Sequence, residues 1–351
     1  MGLSAAFSGR RVLVTGHTGF KGSWLSHWLL AMGAEVSGIA LEPDTEPSLF
    51  EALGLRARMA NTVQDIRDFE ATARAVELAA PDIVFHLAAQ PLVRQSYRDP
   101  VTTFATNVMG TAHVIEALRT RAQPCVLVVA TTDKVYENNG AGRPFAEDDP
   151  LGGYDPYSAS KAAAELVAGS YRRSYFADGP VRLATARAGN VIGGGDWAED
   201  RILPDLARAF AAGRSLGLRN PHSTRPWQHV LDPLHGYLRL SIALADGTAL
   251  SGAYNFGPDP TEIRSVGELV ANATRTWPGR VDFAPDANAP HEAERLSLAT
   301  ERAATELDWR PVWDVATAVE KTVAWYRATA EGADPVNLVN ADIAAFEEAL
   351  A

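Results

Sequence analysis

The chain has 351 residues, 46% hydrophobic and 21% charged, with a formal net charge of −11. This ordinary globular composition has room for one large core or two domains, and its acidic balance argues against nucleic acid, which needs clustered Lys and Arg. Its single cysteine, Cys125, sits in an apolar run and excludes disulfides and cysteine metal clusters, while no stretch approaches about 20 uninterrupted apolar residues, so no metal and no membrane partner are expected in a cytoplasmic protein.

"RVLVTG" (11–16) reads as a strand stopped by glycine. "GSWLSHWLLAMG" (22–33) has helical spacing, with Trp24, Leu25, Trp28 and Leu29 on one face and Gly33 at its end. Further strands are expected at 34–41, 81–89, 124–132 and 181–191, separated by helices near 70–79, 100–121 and 158–175. Strand and helix alternate, and the strands are apolar on both faces. The fold class is therefore α/β, a doubly wound parallel (Rossmann) sheet.

Beyond about residue 195 the pattern loosens into a loop, two amphipathic helices and one more strand at 252–258. Residues 1–192 plus 229–259 are expected to form the Rossmann domain. Residues 193–228 plus 260–351 are expected to form a smaller, mostly helical substrate-capping domain. "PDANAPHEAER" (285–295) reads as an ordered loop or linker.

Gly16, Gly19 and Gly22 form G-x-x-G-x-x-G after the first strand and open the first helix. Glycine lets the backbone turn tightly against a pyrophosphate, and the helix end offers it free N–H groups. Thr18, Phe20 and Lys21 share this loop, with Phe20 read as packing. At the end of the second strand, "IALEP" carries no early acid; Glu42 comes late, and no arginine follows at once. NAD is favoured over NADP. Asp65 and Ile66 are expected to flank the adenine. Leu87, Ala88 and Ala89, at the end of the 81–89 strand, fall on the same cofactor side.

Tyr157 and Lys161 in "YDPYSASK" are four residues apart and share one helix face. Tyrosine is a poor base at its usual pKa of about 10, and a nearby ammonium favours the phenolate. "TTDK" places Thr131, Thr132, Asp133 and Lys134 where the 124–132 strand ends. That is either a surface turn or a proton-handling site. Adjacent strand residues point to opposite faces, so Asp133 and Lys134 meet one substrate only if the chain turns there.

"VTGHTGFKGSWLSHWL", "FHLAAQPLVRQSY", "TNVMGT", "DPLGGYDPYSASKAAAEL", "ARAGNVIGGGDWAEDRILPD" and "RNPHSTRPWQHVLDPLHGY" cover most of residues 11–258. On these segments the chain resembles the extended short-chain dehydrogenase/reductases, the nucleotide-sugar epimerases and dehydratases, and within them the CDP-glucose branch of the 4,6-dehydratases. The last hundred residues match loosely. The resemblance implies an internal redox reaction on a nucleotide sugar with NAD as cofactor. Tyr157 accepts the 4-hydroxyl proton, helped by Lys161 and Thr132, and water then leaves across C5 and C6.

In related dehydratases a glutamate stands at the position of Lys134 and is taken as the C5 base. Asp133 fits the general acid. Lys134 is either a base with a depressed pKa or a group that orients Asp133 or stabilises the enolate. The family also implies Asn107 near the active site, through a bound water or a helix irregularity. Gln90, Asn190, Trp197, Arg201, Arg219, Arg225 and His229 are assigned to the substrate, with Arg225 the foremost phosphate ligand; by themselves His86 and His229, which lack a partner at metal-ligand spacing, read as structural. A homodimer or tetramer is implied, built on the helices near 100–121 and 158–175. A 4-epimerase, a dehydratase of another nucleotide sugar and a silent NAD-binding scaffold are the alternatives.

Overall fold

In the computed structural model, which describes residues 2–138, 140, 142–218, 220–283 and 296–350, the apolar runs become strands. β1 (Arg11–Thr15), β2 (Glu35–Ala40), β3 (Ala60–Val63), β4 (Ile83–His86), β5 (Cys125–Ala130) and β6 (Val181–Ala188) join the strand Ala253–Phe256 in one seven-stranded sheet. The order across it is Ala253–Phe256, β6, β5, β4, β1, β2, β3, and every pairing is parallel. Winding reverses between β1 and β4. The crevice at the carboxyl ends of these two strands is where such a sheet takes its ligand.

Alternation along β1 explains the two layers of core. Val12 and Val14 enter one apolar cluster and Leu13 the other. The helices Phe69–Ala79, Thr111–Arg119 and Pro156–Ser174 cover the Leu13 face with Val76, Val114, Ile115, Leu118 and Ala168. The helices Phe20–Ala31 and Leu231–Ala245 cover the other with Trp24, Trp28, Leu234 and Leu238. Trp24 and Trp28 do lie inward, but the whole run Gly22–Leu29 is buried, Ser23, Ser26 and His27 included. Further packing encloses the side that the pattern left to solvent, where His27 meets Asn340.

Two features depart from the pattern. β3 is an exposed edge strand, "ANTV", too polar and short to stand out in the sequence. The helix expected over 100–121 is broken into Pro100–Phe104, a π-turn at Ala105–Gly110 and Thr111–Arg119.

Past β6 the chain builds the helices Ile202–Ala211, Val266–Thr276 and Val315–Ala330, joined by short two-stranded pairs. Val191–Ile192 pairs with Gln228–His229, Leu216–Leu218 with Val281–Phe283, and Thr224–Arg225 with Arg264–Ser265. Ser265 and Glu268 cap the second helix reciprocally. The apolar cluster beneath Trp24 continues into this region through Leu206, Leu269 and Val319. The 285–295 segment lies outside the described residues.

Candidate active site

The glycine loop is tight for a steric reason. Gly16 has φ of +75°, and a Cβ there would stand 2.7 Å from the Ala88 nitrogen. A Cβ on Gly22 would stand 2.1 Å from the Gly16 oxygen. Gly19 is the N-cap of Phe20–Ala31 and brings no side chain to cap it, so the first-turn N–H groups face an open cradle. Thr18 Oγ1 ties the loop to the Leu41 carbonyl at 2.9 Å.

Lys21 reaches Tyr237 Oη at 3.5 Å. Burial, then the charges of Arg201 and Lys161, push its ammonium down to about 7. A cluster of cations beside a glycine loop, Lys161 buried and Lys21 and Arg201 half-buried, fits pyrophosphate groups, and the residues present therefore fit a dinucleotide. Phe20 packs toward Gly193, as expected of a packing residue.

Leu87 and Ala88 continue from β4, donating to the Thr15 carbonyl at 3.1 Å and to Thr15 Oγ1 at 3.2 Å. Ala89 and Gln90 follow, half-buried. Asp65 is engaged by Arg67 at 2.5 Å, and Ile66 is buried against Gly110. Asn107 is held inside the π-turn. It accepts from the Gln90 N–H at 2.8 Å and donates to the Gln90 carbonyl at 3.1 Å and to Ser160 Oγ at 2.9 Å. The irregular turn thus links the β4 end to the helix of Tyr157, and π-turns concentrate at functional sites. The Gln90 side chain is satisfied within this framework by Thr103 and Leu92.

Thr132 caps a 3-10 turn at Asp133–Val135, and this turn carries Asp133 and Lys134 to one side. Asp133 Oδ1 accepts from Thr132 Oγ1 and from Lys134 Nζ, both at 3.0 Å. Its Oδ2 is buried with no partner among the described residues. A Cβ on Gly189 would lie 3.2 Å from that oxygen, which places it beside the Gly189–Asn190 loop.

Tyr157 stands in the first turn of Pro156–Ser174, capped by Asp155, with its N–H on Ser96 Oγ at 3.1 Å and its hydroxyl bonded to Thr132. Lys161 follows one turn later and donates to the Ala130 carbonyl at 2.9 Å.

The electrostatics correct one expectation. Burial raises Tyr157 above its ordinary pKa, and the cation that chiefly opposes this is Lys134, with the Thr132 hydrogen bond next. Lys161 is turned to a carbonyl and is itself lowered to about 8 by burial, against the charge of Glu165. For Lys134, burial is the largest influence and lowers its pKa. The Asp133 charge, the Tyr157 oxygen and the hydrogen bond to Asp133 together outweigh it and hold the group above its ordinary value. Lys134 is therefore an ammonium and not a depressed lysine base.

Of the residues assigned to substrate, Arg201 pairs with Asp196 at 2.5 Å and acts electrostatically on both Tyr157 and Lys21. Arg225 acts on Lys134. Asn190 Oδ1 is buried and unpartnered among the described residues, as is Asp133 Oδ2. Arg201 and Arg225 thus stand near Tyr157 and Lys134, and Asn190 follows the glycine that borders Asp133 Oδ2.

Others do not. Trp197 packs edge-on against Tyr326 in an apolar groove with Pro47 and Trp277. His229 is wholly buried between Trp24 and Trp313, a core histidine held neutral by burial rather than a substrate ligand. His86 is likewise internal, bonded to Thr15 and Thr111. Arg219 lies outside the described residues.

Sequence reasoning missed Ser96, Tyr136, Asp155, Glu165, Arg187 and Asp196. Glu165 had a signal, since it stands four residues after Lys161 on the same helix face. Among the described residues no group of three His, Cys, Asp or Glu is placed to hold a metal, and no helix is long and apolar enough to cross a membrane.

Comparison with known proteins gives the family. The chain is 45% identical over 335 residues to the CDP-glucose 4,6-dehydratase of Salmonella typhimurium, covering 93% of each chain. It is 30% identical to the UDP-glucose 4-epimerase of Mycolicibacterium smegmatis, covering 90% of this chain and 98% of that one. In structure it resembles a dTDP-glucose 4,6-dehydratase from Streptomyces venezuelae solved with NAD bound, at a TM-score of 0.78 and 27% identity, covering 93% of this chain and 99% of that one. With the model of the GDP-mannose 4,6 dehydratase family matching residues 13–322, the chain belongs to that family, within the extended short-chain dehydrogenase/reductases.

Proposed function

We propose that the protein is an NAD-dependent hydro-lyase that converts CDP-D-glucose to CDP-4-keto-6-deoxy-D-glucose. One observation carries the reading: a carboxylate and an ammonium, Asp133 and Lys134, stand together on the turn after β5, and Lys134 acts on Tyr157. Oxidation and reduction at C4 alone, as in an epimerase, need only the tyrosine and its neighbours. Removing water needs groups for C5 and C6 as well. The 45% identity to a CDP-glucose 4,6-dehydratase supports the choice of nucleotide.

Bound NAD⁺ supplies the hydride acceptor for C4 and the hydride that later arrives at C6. Tyr157 takes the C4 hydroxyl proton, with Thr132 hydrogen-bonded to it and the Lys134 ammonium favouring the phenolate. The 4-ketone makes the C5 proton acidic, and the Lys134 ammonium stabilises the enolate that forms. Asp133 takes the C5 proton and delivers it to the departing C6 hydroxyl, so that the oxygen leaves as water, and the proton held by Tyr157 balances the one that C5 regains as the hydride reaches C6. The first turn of Phe20–Ala31 and Lys21 hold the dinucleotide. Arg201, Arg225 and Asn190 receive the sugar nucleotide, with residues 193–228 and 260–351 as the capping part.

We place the enzyme in the cytoplasm as a homodimer or larger assembly. Val101, Phe104, Met109 and Leu166 are exposed apolar residues on the helices at 100–119 and 156–174, a face suited to a second copy.

The test is mass spectrometry of the protein with CDP-, UDP-, GDP- or dTDP-glucose and NAD⁺. Loss of water from CDP-glucose without net NADH is the expected result. Loss of water from another donor overturns the nucleotide, and an isomer of unchanged mass overturns the dehydratase reading.

A further inference from the structure

Thr132, Asp133 and Lys134 stand on one short segment, and both of its ends run to a single buried ion pair. Arg187 Nη2 lies 2.9 Å from Glu165 Oε2, with side chains 4% and 3% exposed. At the near end, Thr131 Oγ1 donates to Glu165 Oε1 at 2.5 Å. At the far end, Arg187 Nη1 donates to Tyr136 Oη at 2.8 Å, and Tyr136 donates onward to Asn255 Oδ1 at 2.7 Å. Thr185 and Arg187 Nε fill the remaining acceptor positions of Glu165 at 2.7 and 2.9 Å. The carboxylate is saturated, so its orientation is fixed.

Burying such a pair is a poor route to stability, because desolvation offsets most of the attraction. Its geometry suggests a different use. We propose that Glu165 and Arg187 are positioning residues that clamp the Thr131–Tyr136 segment at both ends and so aim Asp133 and Lys134 at C5 and C6 of the sugar. The proposal rests on the dehydratase reading above. Neither residue reaches the substrate. They act through the segment, and Glu165 acts also on Lys161, one turn earlier on its own helix, where its charge opposes the loss of the proton on burial.

The test uses Thr131→Val, which severs one tie with little change of shape, together with Thr131→Ser and Glu165→Gln. Single-turnover NADH absorbance follows C4 oxidation, and the loss of water by mass follows elimination. We expect Thr131→Val to leave KM for CDP-glucose within about twofold and to slow water loss roughly tenfold to a hundredfold, the scale of a slight misplacement of reacting groups. NADH then accumulates, because oxidation outruns elimination. Thr131→Ser restores the wild-type ratio, and Glu165→Gln shows the same imbalance if it folds. Equal slowing of both steps, or a lower melting temperature with an unchanged ratio, overturns the proposal and leaves the pair a part of the scaffold. Failure of the wild type to dehydrate CDP-glucose overturns the underlying reading instead and is seen before any variant is made.

Discussion

Lys134 Nζ sits 3.0 Å from Asp133 Oδ1, while Asp133 Oδ2 is buried with no partner among the described residues. The pairing keeps Lys134 protonated, so the lysine is the wrong group to receive the C5 proton. In the proposed mechanism that task falls to the second oxygen of Asp133, which passes the proton to the departing C6 oxygen. Asp133→Asn should then lose both hydrogen exchange at C5 and water release, by roughly 10²–10⁴-fold, and keep C4 oxidation. Mass spectrometry in D₂O checks this. Surviving exchange at C5 would assign the base elsewhere.

Lys134→Met removes the cation that most opposes the rise in the Tyr157 pKa. The sign follows directly. Without that charge the phenol is harder to ionise, so the tyrosine pKa rises further. Activity that needs the phenolate should therefore have its acidic limb at higher pH, and the rate near neutrality should fall about tenfold for every pH unit by which the limb moves. A pH–rate profile of C4 oxidation in single turnover reads it. A profile displaced to lower pH would contradict the arrangement.

Tyr157→Phe keeps the ring but removes the proton acceptor. It should abolish C4 oxidation, with a loss of roughly 10²–10⁴-fold, and leave binding of NAD⁺ and CDP-glucose within a few-fold by calorimetry. Retained oxidation would move the base away from this helix.

How far these sites were legible depends on how local their geometry is. Gly16, Gly19 and Gly22 declare themselves because three glycines within one turn have few uses, and Tyr157 with Lys161 because four residues make one helix face. Glu165 and Arg187 meet between a helix and β6, 22 positions apart in the chain, and nothing in local spacing marks such a contact. The effect of Lys134 on Tyr157 was hidden for the same reason: a turn at Asp133 sets it, and Lys161 directs its proton to the Ala130 carbonyl instead. His229 shows the converse. Its motif lies near the substrate side, but the ring faces inward between Trp24 and Trp313. β3 went unseen because an exposed edge strand of four residues has no apolar signature.

The exposed apolar face on the helices at 100–119 and 156–174 carries its own test. Leu166 is 62% exposed in the middle of the second helix. Leu166→Glu places a charge at the centre of any helix-to-helix contact there and should yield monomers by light scattering. An unchanged mass would put the contact between copies elsewhere.

Asp232, in the first turn of Leu231–Ala245, is buried and accepts from the Val312 N–H at 2.6 Å through Oδ1. Its Oδ2 has no partner among the described residues, and burial holds the carboxyl up at about 7. In the unfolded chain the same group titrates near about 3.9. Between these values the folded state binds the extra proton, so stability is greatest below the unfolded pKa and falls as pH rises through the folded one. Asp232→Asn is neutral throughout and retains an acceptor for Val312. It should therefore gain stability relative to the wild type as pH rises from 5 to 8, by on the order of 2 kcal/mol in urea unfolding. Equal differences at the two pH values would mean that Asp232 does not change its charge across this range.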